Sequence, residues 1–299
     1  MSIAWLGLGN MGGPMSRRLA AAGHDVTGFD PVPAARDQLL AAGGTVTEDA
    51  SGAVSGADVV VLMLPSSAVV ESVLEGDGVL EAVEPGALLI DMGSSEPLRT
   101  RRIAQLVTDN GARFLDAPVS GGVAGATGGT LTIMAGGPDD DYVRALPVFE
   151  LLGRPTHVGP VGAGHALKAL NNLMSAIHLW GSSEAIDAGV RFGLDPAVML
   201  EVINGSSGRS GSTQQKWPKF ILPGSFDSGF GLRLMLKDMK IAAGLERAVG
   251  TPHVLSDAAI GLWELAAAEL PPTADHTEVA RWIADHAETP TETSREESR

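Results

Sequence analysis

Lys168 and Asn172 are the pair in this 299-residue chain whose types and spacing point most directly to chemistry. They lie four residues apart in VGAGHALKALNN, which places both side chains on one face of a helix. A lysine among Ala166, Leu167, Ala169 and Leu170 is expected to be desolvated, and burial lowers the pKa of an ammonium toward neutrality. Such an amine can both release and accept a proton. An asparagine one turn further on can donate to a substrate hydroxyl or orient the amine. An isolated K-x-x-x-N is also a common decoration of helix surfaces. Here the apolar neighbours and the preceding Gly162 and Gly164 turn favour the chemical reading.

A second constellation lies at the start of the chain. Gly7-Leu8-Gly9-Asn10-Met11-Gly12 fits GxGxxG, between an apolar strand (Ile3 to Leu6) and an amphipathic helix (Met15 to Ala22). In that context the glycines permit a tight turn, a close backbone approach to a pyrophosphate and helix–strand contact. The helix N-terminus supplies N–H donors and the positive end of its dipole. Asp30 lies 18 residues beyond Gly12, at the end of the next strand. A carboxylate there accepts from both ribose hydroxyls of a dinucleotide and repels a 2′-phosphate, although an aspartate at a strand end also caps turns. Pro31 and Val32, and no arginine, follow it immediately, which favours NAD over NADP. With a nicotinamide bound, Lys168 has a task. Hydride transfer to a carbonyl leaves an alkoxide that needs a proton, and oxidation requires that proton's removal.

The third feature is FLDAPVSGGVAGATGGTLTIMAG, residues 114–136. It reads as a strand end at Phe114 to Asp116, a small-residue loop and a β-rich return from Leu131 to Ala135. Ser120, Gly121 and Gly122 can present a hydroxyl and unhindered backbone N–H donors to one small anion. On these three residues alone, a plain glycine-rich turn reads as well.

The elements that must position these groups follow from the hydrophobic pattern. The first half alternates short apolar runs with amphipathic stretches, as in a parallel sheet with crossover helices. Val26 to Phe29, Asp58 to Leu64, Ala87 to Asp91 and Thr156 to Val158 read as strands. The run DVVVLML is too uniformly apolar for a one-sided strand and suits a central one. Helices are expected from Pro97 to about Asp109 and over 139–152. From Ala163 onward the pattern is helical, at 166–192, 195–203, 234–249, 253–270 and 275–287. The predicted architecture is an α/β Rossmann-type parallel sheet at residues 1–161 with an all-helical domain at 162–288. A polar tail (TPTETSREESR) occupies 289–299.

Composition bounds the partners. The net charge is −15, which argues against nucleic acid or an anionic membrane as a general partner. There are no cysteines, and the seven histidines show no HxxxH or HExxH spacing, so no metal site is expected. His165 reads as a packing or capping group. No G-x-S-x-G elbow appears, and Ser120 has no partner histidine at a recognisable spacing, which disfavours a serine hydrolase. The opening MSIAWLGLGNMG reads as a first strand rather than a signal peptide, and no apolar run reaches the length of a membrane span. These readings predict a cytoplasmic protein. Helix 166–192 is apolar around much of its circumference, so a homo-oligomer is expected.

Taken in order, DAPVSGG with its GTLTIMAGG return, the Gly-rich turn with Lys168 and Asn172, the opening fingerprint and LMLKDMKIA resemble the β-hydroxyacid dehydrogenases. That family includes 3-hydroxyisobutyrate dehydrogenase and tartronate semialdehyde reductase. The resemblance runs from residue 3 to about 287. It implies Lys168 as acid/base and Asn172 as substrate contact. It implies Ser120, Gly121 and Gly122 as the substrate carboxylate cradle, and Leu64 and Pro65 as a turn facing the cofactor. Ser94, in DMGSSEP where DSST is more usual, is implied to contact nicotinamide or substrate. Lys237 is implied to close over the cofactor, Asp238 to support the substrate end, and Phe230 to line the pocket. The resemblance also implies a homodimer or homotetramer. Residues 205–230 belong to the substrate side, where Gly211 follows SSGR in place of a frequent bulky aromatic.

Three functions are therefore weighed. The first is an NAD-dependent dehydrogenase of a small 3-hydroxy acid. The second is a semialdehyde or glyoxylate reductase on the same scaffold, and the third a non-catalytic nucleotide-binding protein. Lys168 disfavours the third, and also disfavours the imine reductases, which usually lack a lysine there. A 6-phosphogluconate dehydrogenase needs a much longer helical domain.

Overall fold

A computed structural model describes residues 1–76 and 78–287, so the polar tail lies outside the described residues. Two compact units are found. One is Met1–Asn171 with Gly244–Thr251, and the other is Asn172–Ala243 with the chain from Pro252 onward.

The first unit is built on a nine-stranded sheet. Strands and helices alternate as β1 (Ser2–Leu6), α1 (Gly12–Ala21), β2 (Asp25–Phe29), α2 (Pro33–Ala41), β3 (Thr45–Val46), α3 (Ala50–Val54) and β4 (Val59–Leu62). Then follow α4 (Ser67–Gly76), α5 (Val79–Ala82), β5 (Leu88–Asp91), α6 (Pro97–Asp109) and β6 (Arg113–Asp116). The order β3-β2-β1-β4-β5-β6 is parallel throughout. Strand β1 therefore sits between β2 and β4, the arrangement that opens a crevice at the carboxyl ends. Successive residues serve opposite faces. Ile3, Trp5, Val59, Val61, Leu88 and Ile90 enter one core, while Ala4, Leu6, Val60, Leu62 and Leu89 enter the other. That is why β4 is apolar at every position.

The remainder of this sheet departs from the expected loop. After β7 (Val119–Ser120), residues Gly122–Gly128 form a short helix, α7, before β8 (Leu131–Gly136) returns antiparallel to β6 and β7. Helix α8 (Asp139–Leu152) then leads to β9 (Gly153–Gly159), which pairs parallel with β8.

The second unit is helical. Helix α9 (Ala163–Phe192) begins in the first unit and continues into the second. It is followed by α10 (Pro196–Asn204), a π-helix (Ser212–Ile221), α11 (Leu232–Val249), α12 (Val254–Glu269), a 3₁₀ turn (His276–Glu278) and α13 (Val279–Asp285). The expected helix over 275–287 is thus a 3₁₀ turn followed by a shorter α-helix, and Asp275 caps the start of the turn in a reciprocal capping box with Glu278. Trp180 packs against Trp263 and Trp282 inside this unit.

Candidate active site

The turn between β1 and α1 has the shape that a phosphate cradle requires. A Cβ on Gly12 would overlap the Gly7 carbonyl oxygen, and one on Gly7 would overlap the carbonyl of Met63. At Gly9 a Cβ would meet nothing within 4 Å, so this backbone is open to an approaching group. Trp5 Nε1 fixes the turn from below by donating to the Gly7 carbonyl at 3.0 Å. Asp30 is 9% exposed, and its Oδ2 accepts from Leu8 N–H and its Oδ1 from Val32 N–H, each at 2.8 Å. Turn-capping and a ribose-facing position are therefore compatible, because each carboxylate oxygen keeps a second lone pair. A dinucleotide fits these residues. Arg36, which sequence reasoning passed over, reaches back to donate to the Asp30 carbonyl at 2.7 Å. The start of α2 brings a guanidinium to a strand end that the sequence appeared to leave acidic.

Asp91 and Asp116 are the last residues of β5 and β6 and are register partners. Both are fully buried. Asp91 accepts from Gly93 N–H and from Ser95 Oγ, so Ser95 is the buried hydroxyl of DMGSSEP and Ser94 is half-buried beside it. Asp116 accepts from the backbone N–H groups of Gly162 at 2.7 Å and His165 at 2.8 Å, tying down the start of α9. Burial pushes the Asp116 carboxyl above its ordinary range, opposed by the nearby His165 and these N–H donors. His165 is buried with Nδ1 2.8 Å from Thr100 Oγ1, and stands between the two carboxylates. Gly164 is required here, since a Cβ would overlap the carbonyl of Met134 and crowd Asp116. This buried Asp–His–Asp arrangement was not legible as a unit, because its members are separated by 25 to 74 residues. It fixes the helix that carries Lys168, which is 8% exposed.

Ser120 ends β7, and Gly121 and Gly122 (φ +133° and +62°) turn the chain into α7. Leu64 is half-buried and Pro65 exposed after β4.

In the helical unit the structure brings three predicted residues together. Asn172 Nδ2 donates to Asp238 Oδ2 at 2.6 Å, and Lys237 Nζ lies 3.1 Å from Asp238 Oδ1. Asp238 is buried, so the Lys237–Asp238 pair is not a plain surface ion pair. Phe230 is half-buried. Its carbonyl accepts from His276 N–H at 2.9 Å, and its ring meets the His276 imidazole edge-on at 5.7 Å. Asp275 holds this strap, accepting from Ser228 Oγ, Gly229 N–H, Phe230 N–H, Thr277 N–H and Thr277 Oγ1. Sequence reasoning also missed Lys216, in the π-helix, whose Nζ donates to Ser175 Oγ at 2.7 Å. No motif spacing marks it.

Comparisons with known proteins agree with this frame. Residues 2–162 match the family model described as the NAD binding domain of 6-phosphogluconate dehydrogenase. Residues 162–283 match that described as NAD-binding of NADP-dependent 3-hydroxyisobutyrate dehydrogenase. The fold and these matches define a nicotinamide-dependent oxidoreductase acting on CH–OH donors, with NAD as cofactor. The chain belongs to the β-hydroxyacid dehydrogenase family. A 3-hydroxyisobutyrate dehydrogenase of Pseudomonas aeruginosa is 42% identical over 271 residues, 88% of this chain and 91% of that protein. An NAD-dependent L-serine dehydrogenase of the same organism is 40% identical over the same shares. The structure of Mycobacterium tuberculosis 3-hydroxyisobutyrate dehydrogenase with L-serine superimposes with a TM-score of 0.89 at 37% identity, covering 95% of this chain and 99% of that one.

Proposed function

We propose that this protein oxidises the primary hydroxyl of a small 3-hydroxy acid, with Lys168 as the general base. The observation that carries the reading is a lysine 8% exposed, on a helix whose first turn is anchored by two backbone bonds to Asp116. In this reading Ser120 and the N–H groups of Gly121 and Gly122 hold the substrate carboxylate. Leu8, Gly9, Asn10, Met11 and Asp30 hold the dinucleotide, with Leu64, Pro65, Ser94 and Lys237 along it. Bound NAD supplies the two-electron acceptor. The carbinol C–H bond breaks as hydride departs, the O–H proton passes to the neutral Lys168 amine, and a carbonyl forms. In the reverse direction the ammonium returns that proton to the alkoxide. Asn172 orients the reacting hydroxyl and is itself oriented by Asp238, while Phe230 lines the substrate side.

The reductive alternative, acting on a semialdehyde, uses the same residues. Arg36, on α2 and bonded to the Asp30 carbonyl that follows β2, is the feature that favours it where NADPH is the reductant, and Asp30 opposes it. A panel of 3-hydroxyisobutyrate, L-serine and their semialdehydes, assayed with NAD(H) and NADP(H), tests the reading. Oxidation of a 3-hydroxy acid with NAD supports it. Turnover of semialdehydes with NADPH alone replaces it.

A further inference from the structure

Lys216 is a cation in an environment that calls for an anion. It lies in the middle of the π-helix and is half-buried, and its Nζ donates to the neutral hydroxyl of Ser175 at 2.7 Å. Among the described residues no carboxylate lies at salt-bridge distance from it. Burial pushes its ammonium down to about 8, against the pull of the Asp275 carboxylate. That carboxylate is already committed to the Ser228–Phe230 and Thr277 donors. Beside Lys216 is His276, 4% exposed, whose Nε2 has no hydrogen-bond partner. Burial holds that imidazole below its ordinary basicity, and the Lys216 charge lowers it further. The two groups are thus near neighbours, and each leaves polar capacity unused.

Their location is informative. Ser175 is three residues beyond Asn172 on α9, so the two side chains are neighbours on one helix face. His276 touches the ring and carbonyl of Phe230. Lys216 therefore borders the residues read above as substrate contacts, and this inference rests on that reading. We propose that Lys216, aimed by Ser175, is a specificity-determining residue that takes a second carboxylate on the substrate, so that short hydroxy dicarboxylic acids are preferred over monocarboxylic ones. Tying the π-helix to α9 is a structural task that the same hydrogen bond performs. A charge role and a tethering role differ in which substitution rescues them.

The test uses a homologous set built on 3-hydroxyisobutyrate, in which the methyl group is replaced by carboxymethyl or carboxyethyl. Affinities come from calorimetry on the NADH-loaded protein, and kcat and KM from oxidation with NAD. The wild type is expected to favour the dicarboxylates, and Lys216→Gln, which keeps a donor for Ser175 without the charge, to lower that preference roughly tenfold or more, mainly in KM and Kd. Lys216→Arg is expected to keep most of the preference. Rescue by glutamine and not by arginine shows a tether and overturns the proposal. A wild type that favours the monocarboxylate also overturns it. If no acid is oxidised, the proposed function fails, while the calorimetric ratio between wild type and Lys216→Gln still decides the role of Lys216.

Discussion

Asn172 donates its side-chain amide to Asp238 at 2.6 Å, and Asp238 also holds Lys237 at 3.1 Å. One buried carboxylate thus serves a residue of α9 and the lysine beside it on α11. Asp238→Ala removes the acceptor from both, and an unmade bond of a buried donor costs about 1–3 kcal/mol. We expect kcat/KM to fall by roughly 10–100-fold, the corresponding rate factor. Asp238→Asn, which still accepts from Asn172 but loses the charge facing Lys237, is expected to fall between. Steady-state kinetics check this ordering, and equal rates for the two variants contradict it.

Asp30 is expected to favour NAD over NADP by about tenfold or more in kcat/KM, only about 1.4 kcal/mol for one charge meeting a phosphate. Asp30→Asn narrows the ratio. Arg36 donates to the Asp30 carbonyl and is placed to meet a 2′-phosphate, so Arg36→Ala lowers whatever NADP activity the wild type has. Equal use of both cofactors by the unmodified enzyme contradicts this assignment.

How much of this was legible in the sequence differs from element to element. The strand DVVVLML, the Pro97 helix start and the 139–152 helix were readable because burial pattern and local propensity agree there. Residues Gly122–Gly128 were read as loop, since GVAGATG opposes a helix by about 1 kcal/mol per glycine. Tertiary packing overrides that cost. A Cβ at Gly125 would stand 3.0 Å from the Leu131 side chain, so a small residue is needed. The π-helix was missed because STQQKWPKFI follows the Gly- and Ser-rich run GSSGRSG and contains Pro218. The i→i+5 bond from Leu222 N–H to the Trp217 carbonyl at 2.8 Å has no signature that a helical wheel detects. Motif order singles out Asn172 and Asp238, which the fold brings into contact. The contacts of Arg36, Asp91 and Lys216 are made only on folding, and no spacing encodes them.

The Asp275 strap predicts an acid limb in stability. Burial alone would raise the Asp275 carboxyl, but hydrogen bonds from His276, Thr277 and Ser228 outweigh it and hold the group well below the usual carboxylate range. A depressed folded value means that this stabilisation is fully present above the unfolded value of about 3.9 and is lost as pH falls below it. Asp275→Ala is expected to cost about 2–4 kcal/mol by leaving several donors unpaired, and to flatten the fall in Tm below about pH 4. Calorimetric melts across that window decide the matter. An unchanged acid limb in the variant removes Asp275 from the account.

We propose a homodimer or homotetramer. Phe192 is 86% exposed and Val254 83%, and Met174, Leu255 and Leu265 are exposed as well, more apolar surface than water-facing helices ordinarily carry. Light scattering at micromolar concentration is expected to give at least twice the 30.8 kDa chain mass. Phe192→Glu with Val254→Glu shifts the particle toward the monomer. A monomeric wild type contradicts the proposal.

The central claim is that Lys168 moves the proton, and Lys168→Ala assayed by pre-steady-state oxidation with NAD tests it most directly. We expect kcat to fall by roughly 10²–10⁴-fold, the usual range for one positioned acid/base group, with NAD affinity nearly unchanged. The fall in oxidation rate toward low pH, where the ammonium can no longer accept the proton, disappears with the amine. Lys168→Arg restores little, because a guanidinium stays protonated at neutral pH. A Lys168→Ala enzyme that keeps most of its turnover and an unaltered pH profile, on a substrate the wild type oxidises, would contradict the mechanism.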